Sequence, residues 1–84
     1  MYYTYVLQSE KDKGFYVGFT KDLKPRFDQH NKGQVESTNN RRPMKIIYYE
    51  GCLNQLDAVK REKYLKTYNG RRFLHNRIKS YLTG

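Results

Sequence analysis

Cysteine is almost absent from this 84-residue sequence: Cys52 stands alone, so no internal disulfide can form. No Cys/His cluster has the spacing of a zinc site either, which excludes both disulfide-stapled and zinc-stapled scaffolds. No stretch approaches the ~20 apolar residues of a membrane span. No leader is expected either, since Met1 runs directly into Tyr2-Tyr3-Thr4-Tyr5-Val6-Leu7, which is patterned as a strand and too short for a signal peptide. The expectation is a cytoplasmic protein. With no internal repeat, low-complexity run or linker composition, residues 1–84 read as one domain, which at this size buries only about 60% of the surface its unfolded chain exposes.

Acidic charge is scarce as well. Eight Asp and Glu face seventeen Lys and Arg, for a formal charge of +9 and a pI near 9.8, so a polyanion is the natural partner. The excess is uneven: residues 1–20 carry two groups of each sign, residues 21–45 seven basic against three acidic, and residues 46–84 eight against three. A neutral N-terminal hairpin is followed by a basic remainder. Many small domains are basic without binding nucleic acid, so charge alone does not choose a function.

What is present centres on Phe15-Tyr16-Val17-Gly18-Phe19-Thr20 and the residues after it. The aromatic and β-branched run reads as a strand, with Gly18 where backbone can approach a ligand closely, and Thr20 or Asp22 can cap a following helix. On that helix Arg26 and His30 stand one turn apart, and Leu23 and Phe27 form a second pair about 60° round from the first. The apolar stripe and the Arg/His stripe therefore border each other. A planar cationic fork beside an imidazole suits a phosphate-handling cleft, while the plainer alternative is a solvated basic helix edge.

Elsewhere, Tyr2 to Gln8 reads as a first strand, joined to the Phe15 strand through the polar turn Ser9 to Gly14. Asn31 to Pro43 reads as a loop, long for a compact domain. Met44 to Glu50 reads as a third strand ended by Gly51. Asn54, with Asp57 three residues on, starts a helix that should run to about Tyr68. Ala58, Leu65 and Tyr68 share its apolar side, and Glu62 falls on the same stripe. A carboxylate there needs an ion pair, with Lys66 or an arginine from another element, or a metal. Asn69-Gly70 should break that helix, and Arg71 to Leu82 should form another with Leu74, Ile78, Tyr81 and Leu82 inward and Arg71, Arg72, Arg77 and Lys79 outward. The predicted fold is α+β: a small three-stranded antiparallel sheet, order β-β-α-β-α-α, with about three helices packed on one face.

Tyr3-Thr4-Tyr5, Tyr16-Val17-Gly18, Arg26, His30 and Glu62 within Lys60-Arg61-Glu62-Lys63 come in an order that resembles the GIY-YIG nuclease domain, particularly its small single-domain bacterial members. The resemblance covers nearly the whole chain. The first motif departs from the pattern, with Tyr3 for Gly and Thr4 for Ile, but Tyr5 is retained. Pro25 is also unlike the usual basic residue before the arginine, and it is tolerated if it lies in the first helical turn.

The resemblance implies an endonuclease that hydrolyses phosphodiester bonds, in DNA by preference, using one Mg²⁺ or Mn²⁺ held by Glu62. By the same resemblance Tyr5 or Tyr16 positions or deprotonates the attacking water, Arg26 stabilises the transition state, and His30 hydrogen-bonds a tyrosine or shuttles a proton. Lys21, Lys24, Arg41, Arg42, Arg71 and Arg72 are the candidate phosphate contacts. Specificity would lie with a protein partner or an appended domain, and DNA repair is one setting. Tyr2, Tyr3, Tyr48, Tyr49, Tyr64, Tyr68 and Tyr81 are assigned to sheet packing or base stacking, His75 to a helix edge, and Asn76 to a position off the inner face. The alternative class is a basic nucleic-acid-binding module without catalysis, or an interaction subunit that keeps only the fold. Glu62 separates these, because a purely phosphate-binding surface gains nothing from a core-side carboxylate.

Overall fold

The computed structural model describes every residue, Met1–Gly84. Strands β1 (Tyr2–Ser9), β2 (Phe15–Thr20) and β3 (Met44–Cys52) form an antiparallel sheet of order β2-β1-β3. Helices α1 (Leu23–Asn31), α2 (Glu36–Asn39), α3 (Gln55–Leu65), α4 (Tyr68–Arg77) and α5 (Lys79–Thr83) complete the chain. The predicted class and element order hold, with two short helices, α2 and α5, added to them.

The helices cover both faces of the sheet, which corrects the one-sided packing expected from the sequence. Thr4 through Ser9 of the central strand are all buried, as a strand covered on both sides must be. Alternate side chains divide between two small cores. Val6 and Val17 pack with Leu65 of α3 and Leu74 of α4, while Tyr5, Leu7 and Met44 pack with Tyr16, Ile46 and, from α1, Leu23 and Phe27. A bulge adjusts β3 to this arrangement: Val6 faces Tyr48 and Leu7 faces Ile46, so Ile47 has no partner in the ladder. Ile47 and Tyr48 both reach the α3–α4 side. Gly51 does not end β3, which pairs on through Gly51 opposite Tyr3 to Cys52 opposite Tyr2.

Local chemistry explains most boundaries. Thr20 Oγ1 accepts the Asp22 N–H at 3.1 Å and closes the turn into α1, whereas the Asp22 side chain makes no capping bond. The first helical bond runs from Arg26 N–H to Asp22 O, so the N–H that Pro25 lacks is not needed. At α3, Asn54 accepts from the N–H groups of Leu56 and Asp57.

Beyond α3 the structure corrects two boundaries. The break falls at Lys66-Thr67 rather than at Asn69-Gly70, because Thr67 Oγ1 accepts the Gly70 N–H and caps α4. Tyr68 therefore begins a new helix and is 77% exposed instead of lying on the α3 stripe. Gly70 is inside α4 for a packing reason: a Cβ there would collide with the backbone of Tyr64 and Leu65. The last predicted helix is likewise two, α4 and α5, parted at Ile78, and Tyr81 is 44% exposed with its hydroxyl donating to Gln8 Oε1 at 2.6 Å.

The segment predicted as a plain loop, Asn31 to Pro43, is neither loose nor unstructured. Asn31 clasps the start of β3, donating to Met44 O at 2.9 Å and accepting from Met44 N at 2.8 Å. Ser9 Oγ donates to Arg41 O at 2.7 Å, and Arg41 Nε pairs with Asp12 at 3.3 Å. Between these anchors lies α2, with Thr38 fully buried. A second tie joins β3 to α3, where Arg61 makes a bidentate pair with Glu50 and lies over the rings of Phe73 and Tyr64. No helix is long and apolar enough to cross a membrane.

Candidate active site

Tyr5 is the hub. Its ring is 1% exposed, projects from the central strand toward α1, and passes so close to Gly18, its partner across the ladder, that a Cβ at Gly18 would overlap the phenol. The close approach predicted at Gly18 is thus made by a side chain of the protein itself. The Tyr5 hydroxyl lies 2.9 Å from His30 Nε2, and the Tyr16 ring packs edge-on to His30 at 4.9 Å and tilted to Tyr5 at 6.4 Å.

His30 is fully buried rather than at a solvated helix edge. Both ring nitrogens are engaged: Nε2 with Tyr5, and Nδ1 with Thr38 Oγ1 at 2.7 Å. Burial, with the Arg26 charge added to it, lowers its pKa to about 4, so the imidazole is neutral at neutral pH. Burial also raises the pKa of Tyr5, as do the Tyr16 phenol and the Glu62 charge, while the Arg26 guanidinium works the other way. Tyr5 accordingly stays a neutral hydroxyl at neutral pH.

Arg26 is half-buried and holds Gln29 Oε1 at 3.0 Å. It lines two open depressions at once. One, of about 490 Å³, also has Tyr2, Phe19, Thr20, Lys21 and Gln55 in its wall, and the other, of about 590 Å³, has Tyr16, Val35, Glu36 and Ser37. A guanidinium between two such hollows can hold one phosphate of a strand that continues to either side.

Glu62 lies on α3, in the helix layer across the sheet from α1, and acts on Tyr5 through its charge. Its carboxylate is paired with Lys66 Nζ at 3.1 Å, one turn on, and its side chain is 21% exposed. Nowhere do three His, Cys, Asp or Glu side chains converge. A single half-open carboxylate fits Mg²⁺ or Mn²⁺ that keeps most of its water and takes phosphate oxygens, and does not fit an ion requiring a full protein cage.

The basic candidates fall into different places. Lys21 and Lys24 are exposed at the start of α1 beside Arg26. Arg71 and Arg72 are exposed on α4, across the sheet, with Arg72 over the Tyr68 ring. Arg42 is exposed and bonded to Asn39 O, whereas Arg41 is held by Asp12 and Phe15 O. Of the remaining tyrosines, Tyr2 stacks on Phe19 and Tyr3 meets Tyr49 edge-on, while Tyr48 donates to Glu50. His75 is exposed and stacks on Phe15, and Asn76 is exposed. Thr38 is the member of the cluster that sequence reasoning missed. It sits in a polar segment with no periodicity, and nothing in one dimension marks it.

Comparison with known proteins gives a consistent family. The family model described as the GIY-YIG catalytic domain matches residues 1–79. A UPF0213 protein of Clostridium perfringens is 39% identical over 67 residues, covering 79% of this chain and 71% of its own. One of Staphylococcus saprophyticus is 36% identical over 69 residues, 81% of this chain and 83% of its own, and one of Staphylococcus aureus is 35% identical over 68 residues, 80% and 82%. No solved structure matches the chain.

Proposed function

The chain belongs to the GIY-YIG catalytic-domain family, a family of nucleases, and on that premise we propose that it is a divalent-metal-dependent endonuclease acting on DNA. The observation that carries this reading is the set of groups gathered at the Tyr5 hydroxyl: His30 hydrogen-bonded at 2.9 Å, the Tyr16 ring beside it, and the Arg26 and Glu62 charges acting on it.

Arg26 holds the scissile phosphate and stabilises the charge that builds on it, with the flanking nucleotides in the two depressions it separates. Lys21 and Lys24 steer the strand to that point. Tyr5 orients the attacking water, and Tyr16 closes the same side of the imidazole against solvent. His30, neutral and hydrogen-bonded to Tyr5, takes the proton that Tyr5 cannot keep. Glu62 would hold Mg²⁺ or Mn²⁺ after exchanging Lys66 for the ion, an exchange that costs little because an exposed (i, i+4) pair contributes only ~0.3–0.5 kcal/mol. When bound, the ion supplies Lewis-acid charge to a phosphate oxygen. A protein partner supplies the choice of site.

The test is incubation of the purified protein with end-labelled single-stranded, duplex and branched DNA in Mg²⁺, Mn²⁺ or EDTA. Cleavage that needs the ion and is abolished in Glu62→Gln, with binding retained, supports the reading. Salt-dependent binding without cleavage on any substrate would replace it with a non-catalytic binding module. Cleavage that survives in Glu62→Gln would make Glu62 an ion-pair residue only.

A further inference from the structure

Beneath Tyr5 lies a buried row of polar atoms that ends in a segment no motif reaches. The Tyr5 hydroxyl meets His30 Nε2 at 2.9 Å, His30 Nδ1 meets Thr38 Oγ1 at 2.7 Å, and Thr38 Oγ1 lies 3.5 Å from Val35 O. Tyr5, His30 and Thr38 are buried, at 1%, 0% and 0% exposure, so in the free protein their protons are matched to acceptors inside the fold, and only the tip of Tyr5 is left for a water that arrives with the substrate.

Counting donors fixes the direction of the row. Arg26 is donor-only, so the acceptor within hydrogen-bond distance of the phenol proton is His30 Nε2. A neutral ring that accepts at Nε2 carries its own proton on Nδ1, and Thr38 Oγ1 is the atom placed to accept it. The Thr38 proton is then left for the Val35 carbonyl. In the opposite direction the phenol proton would have no acceptor within the protein, since its only hydrogen-bond partner there is His30 Nε2 and Arg26 is donor-only.

We infer that Thr38 is a positioning residue: by accepting from Nδ1–H it holds His30 in the tautomer whose bare Nε2 can receive the Tyr5 proton. As the water attacks, its O–H bond breaks toward the Tyr5 oxygen while the phenol proton passes to Nε2. Tyr5 ends neutral, His30 becomes an imidazolium, and its Nδ1–H bond to Thr38 is unchanged throughout. The anchoring of α2 acquires a purpose in this account. Asn31 on Met44, Ser9 on Arg41 and Arg41 on Asp12 hold a short helix whose buried polar side chain is Thr38.

The effect on rate rests on the nuclease reading, but the tautomer can be read without any substrate. In ¹⁵N-labelled wild-type protein, long-range ¹H–¹⁵N spectra should show His30 protonated at Nδ1 with an unprotonated Nε2. Thr38→Val removes the acceptor at nearly constant shape, and the proton should move to Nε2. Thr38→Ser should restore the wild-type pattern. In the cleavage assay Thr38→Val should lose about 10- to 100-fold in kcat with little change in KM, and Thr38→Ser should recover most of it. Protonation at Nε2 in the wild type would overturn the inference, and so would an unaltered tautomer in folded Thr38→Val. A shifted tautomer with an unchanged rate would overturn its catalytic part. Absence of cleavage by the wild type would count against the proposed function and leave the spectroscopic result to decide the tautomer. Should Thr38→Val fail to fold, the wild-type and Thr38→Ser spectra still decide it.

Discussion

Tyr5 and Gly18 lie opposite each other in the β1–β2 ladder, and the Tyr5 phenol occupies the space where a side chain at Gly18 would begin. The residue at 18 therefore determines where the hydroxyl at 5 sits, and with it the 2.9 Å contact to His30.

Gly18→Ala places a methyl group against the phenol, so the ring must leave His30 or the strands must part. The expected cost is about 1–3 kcal/mol in urea unfolding, typical of overpacking, with cleavage reduced at least ~10-fold. A variant as stable and active as the wild type would show that the ring has free room, and the hub assignment would fall.

Acid should weaken the fold through His30. Its folded pKa, about 4, lies below the reference value of 6.5, so the unfolded chain takes up the proton first as pH falls. The stability His30 contributes is complete above pH ~6.5 and is lost progressively down to pH ~4, to a total of about 3 kcal/mol. Unfolding free energies at pH 7.5, 5.5 and 4.5 should show the decline, and His30→Gln should flatten it. A wild-type profile level across that window would contradict the buried neutral ring.

Arg61→Lys should behave as a real loss and not as a conservative change. The guanidinium is bidentate on Glu50 and lies 4.4 Å over Phe73, and an ammonium reproduces neither contact. Both partners are about 30% exposed, at 32% and 28%, so solvent screening limits the expected destabilisation to about 1–2 kcal/mol. Equal stability of the two proteins would mean that β3 and α3 do not depend on this tie.

Salt dependence can separate binding arginines from structural ones. Each phosphate neutralised adds about −0.9 to the log–log slope on duplex DNA. Lys24→Ala and Arg72→Ala, at exposed positions, should each lower the slope by about one if they touch phosphate. Arg41→Ala should instead act mainly on stability, since its side chain is committed to Asp12 and Phe15. A wild-type slope near zero in a filter-binding titration would remove nucleic acid as the partner.

Much of the molecule was legible in one dimension because it depends on neighbours in sequence. The strand runs, the Asn54 cap and the Leu23/Phe27 stripe are set by residues two to four apart, and the charge excess needs no structure at all. The motif residues Tyr5, Tyr16, Arg26, His30 and Glu62 could be named as a set through the resemblance to the GIY-YIG family, because residue types and their order survive without coordinates. The differences fall where one element meets another. Gly70 reads as a breaker by itself, yet it is required because Tyr64 and Leu65 press on it from the end of another helix. One-sided packing is what a group of strands followed by helices suggests, and only the central place of β1 shows that both faces are covered.

By itself, then, the sequence determined the α+β class and the basic character, since composition and periodicity are properties of the chain read locally, and the resemblance to the GIY-YIG family proposed the five candidate residues. Only the tertiary structure decided that Tyr5 meets His30 across 25 positions, that Gly18 must be bare beneath the phenol, and that Thr38 completes the row. Those choices follow from burial: a polar atom shut away from water must take its partner from whatever the fold brings within about 3 Å, and chain order does not encode that distance.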